Sequence, residues 1–299
     1  MLSTLPTPPV NTPVSHAGQA VMTIGVAVGL VIIAVAAVRL GRKWSTAVPA
    51  LLVLGTLFAG FYEPMENMGA HMWYYRPGQV TFFDAFDRSL PVWVFFSYAA
   101  FYGGFGLLAW WLAERGSPRS HIVRFVLGMW AFAIVTEIVG TQLNTYEYYG
   151  RAPFRVAGFP VWVSLSNAAI CTTIGVAAAR LRRHLVGRQQ LALLCLGPAA
   201  ITLGLVGTGF PTLVALNTVD PPAGLLYGAA LVSMAMAGVM AWSATQLVPV
   251  SGLEPAAAGT ERFGGRPEPI RTAGVAGTAG TAGVAGTAGV AGAAVKAGA

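Results

Sequence analysis

The sequence predicts an all-α fold: a polytopic membrane bundle of about seven transmembrane helices, with the N-terminus outside and the C-terminus cytoplasmic. Three observations predict it. Hydrophobic residues fill 55% of 299 positions and charged residues only 10%, with a mean hydropathy of +0.64, far from the composition of soluble domains. Apolar runs of about 20 residues, the length that crosses a hydrocarbon core, recur along the chain. The basic residues also gather in alternate loops, as the positive-inside rule requires.

The apolar runs lie near 18–39, 47–65, 90–113, 121–142, 158–180, 190–211 and 222–247. No Lys or Arg precedes the first run, so it reads as a retained helix rather than a secretory signal. Residues 1–17 form the extracytoplasmic N-terminal segment, 18–247 the membrane domain and 248–299 a cytoplasmic tail. Pro64 sits at the end of the second run, where it either ends the helix or starts a further turn. Arg39, Arg42 and Lys43 follow the first run; Arg115, Arg119 and Arg124 surround the turn between the third and fourth; Arg180, Arg182, Arg183 and Arg188 separate the fifth and sixth. The intervening loops carry only Arg76, Arg88, Arg151 and Arg155, which sets the orientation and a multi-pass plasma-membrane location. The Ala, Gly, Thr and Val of the tail lack the large apolar side chains of a core, so a disordered extension is expected.

Composition also excludes several classes. The net charge of +7 is spread in short clusters rather than one patch, which argues against nucleic acid. Cys171 and Cys195 both lie in apolar runs and read as small core residues, not as a disulfide or a thiolate metal site. Neither a zinc-type His/Cys set, a Gly-rich phosphate loop nor a Ser-His-Asp pattern occurs.

The acidic residues are unevenly placed. Glu63, Glu66, Asp84, Asp87, Glu147 and Asp220 fall at or beyond the outer helix ends, and Glu137 lies inside the fourth run toward that side. An ionisable side chain there costs several kcal/mol unless it faces the bundle interior and finds a partner. Glu137 is therefore the candidate general acid, a neutral carboxylic acid able to donate a proton. The plain structural alternative is a hydrogen bond to a neighbouring helix, through Asn167 or Ser164. Glu63 and Glu66, three apart in "FYEPMENMGAHMWYY", share a helix face if the helix continues past Pro64. Either can serve as base; paired carboxylates also share protons or hold Mg²⁺, the latter the weaker expectation. Tyr146 and Glu147 complete the candidate catalytic set. Asn67, His71, Trp73, Asp84, Asn144, Tyr148 and Asn167 form the candidate substrate-binding set, with no metal and no cofactor expected. Asp84 and Arg88, spaced i,i+4, read as a surface pair on a short amphipathic helix.

On these residues the chain resembles the AveC-like family of bacterial integral membrane proteins, named for a spirocyclase. The resemblance spans roughly 45–185 and rests on "EPMEN", the aromatic loop after it, Leu90-Pro91, Glu137, and "YEYYG" followed by Phe159-Pro160; Glu63 stands where that family suggests Asp. The acid, Y-x-Y and apolar-Pro arrangement is also similar to the membrane carotenoid hydratases. The resemblance implies a cofactor-independent cyclase or hydratase/dehydratase acting on a lipophilic polyketide or isoprenoid-like substrate. The competing class is a non-enzymatic transporter or lipid-binding protein. A deep pocket containing Glu137 favours the enzyme, and a track to both faces favours transport. Partners are then a lipophilic small molecule and the bilayer, with the oligomeric state open.

Overall fold

The computed structural model describes residues 5–248; the expected tail lies, apart from Val248, outside the described residues. Among the described residues, seven helices are long and apolar enough to cross a membrane. They are α1 (His16–Lys43), α2 (Val48–Gly69), α3 (Val92–Glu114), α4 (Arg119–Gln142), α5 (Trp162–Leu181), α6 (Gly187–Gly207) and α8 (Ala223–Gln246). A short α7 (Phe210–Leu216) precedes the last of them. The fold is that of a multi-pass membrane protein.

α5 is the centre of the bundle, with 83% of its apolar window buried, and packs on α3, α4 and α8. Small residues permit the closest of these approaches: a Cβ at Gly175 would run into backbone atoms of Gly106 and Trp110, as at small-residue interfaces between membrane helices. α1 stands at the periphery with only 6% buried, and Ile24, Val28, Val31, Ile32, Val35 and Val38 are exposed. Such an apolar face requires lipid rather than water. Ser15 caps α1, its Oγ accepting from the Gly18 amide at 3.0 Å, which satisfies one of the unpaired donors of the first turn.

The helix of the second run continues past Pro64. A tighter turn at Gly60–Tyr62 precedes the segment Glu63–Gly69, and Pro64 occupies its first turn, where the missing N–H removes no helical bond. Within α3 the helix widens at Ala99–Gly103. The start of α5 shifts to Trp162 because Phe159–Pro160 is taken up as a strand.

Among the described residues, six short strands form three antiparallel pairs at the end of the bundle where α1 begins and α2 and α4 finish. β1 (Met72–Tyr74) pairs with β4 (Tyr146–Tyr148), β2 (Thr81–Ala85) with β3 (Arg88–Pro91), and β5 (Arg155–Val156) with β6 (Phe159–Pro160). Asp84 and Arg88 are therefore on a hairpin and not on an amphipathic helix. Phe86 and Asp87 both adopt positive φ, 52° and 55°, the two-residue turn that matches strand twist. Cys171 is buried as expected, whereas Cys195 is exposed, because α6 turns that position away from the bundle.

Candidate functional site

β1 and β4 organise the site. Their register sets Met72 opposite Tyr148, Trp73 opposite Glu147 and Tyr74 opposite Tyr146, and side chains alternate between the faces of a strand pair. Met72, Tyr74, Tyr146 and Tyr148 line a cavity of about 1100 Å³. On the other face Trp73, Tyr75 and Tyr149 cluster with Val14. The two-residue period of "MWYY" and "YEYY" thus separates two aromatic sets.

Three carboxylates line this cavity: Glu63 and Glu66 from α2, and Glu137 from α4. The continuation of α2 past Pro64 gives both glutamates of that helix to the same volume. Glu63 is buried and accepts two phenolic hydrogen bonds, from Tyr74 at 2.6 Å and from Tyr98. Glu137 lies about 8 Å from the end of α4 at 1.5 Å per residue, and its Oε2 accepts from the Tyr146 hydroxyl at 2.8 Å. Gly140, one turn along, makes this approach possible, since a Cβ there would lie 2.6 Å from Tyr146 Cε1 and 2.7 Å from Cζ. Burial, reinforced by the neighbouring Glu63, holds the Tyr74 hydroxyl well above the ordinary phenol range, and burial with Glu137 does the same for Tyr146. Both phenols remain donors.

The remaining expected residues divide. Tyr148 and Asn167 line the cavity; Asn167 Oδ1 accepts from Tyr102 at 2.7 Å. The partner of Glu137 is Tyr146, not Asn167 or Ser164; the Ser164 hydroxyl instead accepts from the Trp130 indole at 3.0 Å. Asn67 is 2% exposed, with its Nδ2 unpartnered among the described residues. Glu147 is carried by strand alternation to the opposite face, where it accepts from Tyr75 at 2.8 Å. Trp73 packs on that face beneath the Arg76 and Arg88 guanidiniums, 4.7 and 4.9 Å from its ring centre. His71 stacks on Tyr149 and its Nε2 lies 3.3 Å from Asn217 Oδ1. Asp84 accepts from the Ser89 hydroxyl, and Asn144 forms a turn whose carbonyl accepts from the Ser15 amide. These five, and Asn67 with them, lie outside the cavity lining. The three cavity carboxylates belong to no group placed to hold a metal ion among the described residues.

Sequence reasoning passed over Tyr98 and Tyr102 on α3, which line the cavity with Trp93, Phe101 and Phe105. The signal was present: two tyrosines at i,i+4 deep in an apolar run need partners for their hydroxyls.

Below the polar cluster the cavity is apolar and continues beside α1 as far as Arg39 and Leu40. α1 meets α4 at the strand-bearing end, where a Cβ at Gly18 would strike the Leu143 carbonyl, yet otherwise packs on α2 and α3. The gap beside α1 is floored by Phe101 and Phe105, with Phe132 of α4 stacked on Phe101 at 6.3 Å. The chain matches no protein-family model, no curated protein and no solved structure.

Proposed function

We propose that the protein is a membrane-embedded enzyme that uses carboxylate acid/base chemistry on a lipophilic substrate, as a cyclase or a hydratase/dehydratase. The observation that carries this reading is the convergence of Glu63, Glu66 and Glu137, with five tyrosines, at the head of one large apolar cavity. The same class follows from the resemblance of residues 45–185 to the AveC-like family.

The hydrogen bonding gives the carboxylates different roles. Two phenols donate to Glu63, which suits it to be the carboxylate that receives a proton. Glu137 receives one phenol on Oε2, leaving Oε1 to face substrate as a carboxylic acid. Proton transfer from Glu137 to an alkene or enol-ether carbon creates a cationic centre. Attack by a substrate hydroxyl or by water closes the ring or adds water, and the proton released passes to Glu63 or, as runner-up, Glu66. Tyr74, Trp93, Tyr98 and Tyr146 line the cavity, where aromatic rings stabilise the cation, and the apolar walls exclude stray water.

Lipid extracts of cells with and without the gene test this, with Glu137→Gln as control. A product differing by one water, or an isomer of equal mass, supports the reading if it disappears in the variant. Unchanged extracts favour the second reading, a lipid-binding protein, for which the continuation of the cavity along α1 speaks. We place the protein in the plasma membrane with the strand-bearing end outside, from the loop charges. A cysteine at exposed Pro77 should then react with an impermeant reagent on intact cells; protection there reverses the orientation.

A further inference from the structure

The acidic and basic residues that line the cavity are segregated. Glu63, Glu66 and Glu137 lie at one end and Arg39 at the other, and no other lining residue is charged. From Met22 to Arg39 the lining follows α1 for about 26 Å at 1.5 Å per residue, close to the thickness of a hydrocarbon core. The α1 lining residues between are all apolar. Ile32 and Val35 on α1 and Phe132 on α4 are all more than 40% exposed, so this length opens sideways. Arg39 itself makes no hydrogen bond or ion pair among the described residues and is exposed beside the gap.

We propose that the cavity takes a long-chain amphiphile bearing a terminal anionic group, carboxylate or phosphate, admitted sideways from the bilayer through the gap between α1 and α4. Its anionic end sits at Arg39 and its reacting end among the carboxylates. Three facts converge on this occupant. The groove has the length and apolar walls of a single extended chain. A guanidinium at its far end matches an anionic oxygen group. The head offers acidic side chains and no cation to that same group, which fixes which way the chain lies. The inference rests on the acid/base reading for the name of the reacting end, but the binding and its direction are measured without turnover.

The full chain in neutral-lipid nanodiscs is titrated with hexadecanoate and with hexadecanol, following tryptophan fluorescence. The carboxylate should bind about tenfold tighter or better, a ratio equal to one hydrogen-bonded charge pair, and Arg39→Gln should abolish that preference while leaving hexadecanol binding unchanged. Direction is read with hexadecanoate brominated at one end or the other. Bromine on the terminal methyl carbon should quench Trp93, identified by loss of the effect in Trp93→Phe; bromine beside the carboxylate should quench Trp111, identified in Trp111→Phe. Equal binding of acid and alcohol, a preference that survives Arg39→Gln, or the reverse quenching order overturns the proposal. Hexadecanoate binding in this order together with an inactive-site result from the lipid extracts would leave this inference standing and remove the enzyme reading, so the two fail separately.

Discussion

The Tyr146 hydroxyl donates to Glu137 Oε2 at 2.8 Å, across nine residues of sequence and the turn that ends α4. The contact joins β4 to a carboxylate inside a membrane helix. It exists because Gly140 leaves the Tyr146 ring room to approach α4. Glu137→Gln keeps size and hydrogen-bonding capacity but removes the transferable proton. Product formation should fall by about two orders of magnitude or more with the yield of folded protein unchanged. Full product from a folded variant would remove the proton-donor role.

Gly140→Ala tests the support of that contact separately. The added methyl must displace the Tyr146 ring, so activity should drop with Glu137 itself intact, and Tyr146→Phe should reproduce the loss. Gly128→Ala on the same helix, where a Cβ meets nothing within 4 Å, should be neutral. Equal activity in Gly140→Ala and Gly128→Ala would show that the position of Tyr146 does not matter.

The membrane helices were legible in sequence because each needs about 20 apolar residues to satisfy its backbone in lipid, and that length is read directly. Glu137 was legible for the converse reason, since a carboxylate in such a run demands a partner. Which partner was not legible: the strand pairing of β1 with β4 joins segments 72 residues apart, and only that register shows that Tyr146 and Tyr148 face inward while Glu147 does not. Asp84 and Arg88 misled for a related reason. Their i,i+4 spacing fits a helix, but two positive-φ residues between them close a hairpin. Tyr98 and Tyr102 carry no charge to mark them, and the partners of their hydroxyls, Glu63 and Asn167, lie on other helices that only the fold brings near.

Glu63 is buried with hydrogen bonds from Tyr74 and Tyr98, so either phenol can be tested for stability as well as activity. Removing one hydroxyl leaves a buried carboxylate oxygen without its donor, at a cost of about 1–3 kcal/mol. Tyr98→Phe and Tyr74→Phe should each lower the melting temperature in detergent by several degrees. Unchanged melting in both would mean that water within the cavity replaces the phenols.

Helix packing makes a further demand at Gly175. Alanine gains about 1 kcal/mol over glycine in a helix, so Gly175→Ala should be stabilising if the site had room. Its Cβ instead meets Ala109 Cβ at 2.5 Å together with backbone atoms of α3 that cannot swing aside. Overpacking of this kind costs about 1–3 kcal/mol, and the net effect should be a lower melting temperature. A higher one would show that α3 and α5 are less closely packed than their glycines indicate.

His71 supplies a pH dependence outside the membrane helices. Burial, with the nearby Arg88 charge acting in the same sense, lowers its pKa below the usual imidazole value of 6.5, partly opposed by the Asn217 bond. The unfolded chain therefore takes up a proton at a higher pH than the folded one. The stabilising difference is fully present above pH of about 6.5, where both states are neutral, and is lost as pH falls through that value toward the depressed folded pKa. The melting temperature should accordingly be lower at pH 5.5 than at pH 7.5. His71→Asn removes the titration and suits the positive φ of 53° at this position, since Asn tolerates the left-handed region. Its melting temperature should change less between the two pH values than that of the parent protein. A slope of equal size in the variant would assign the pH dependence to another group and leave His71 as a packing residue against Tyr149.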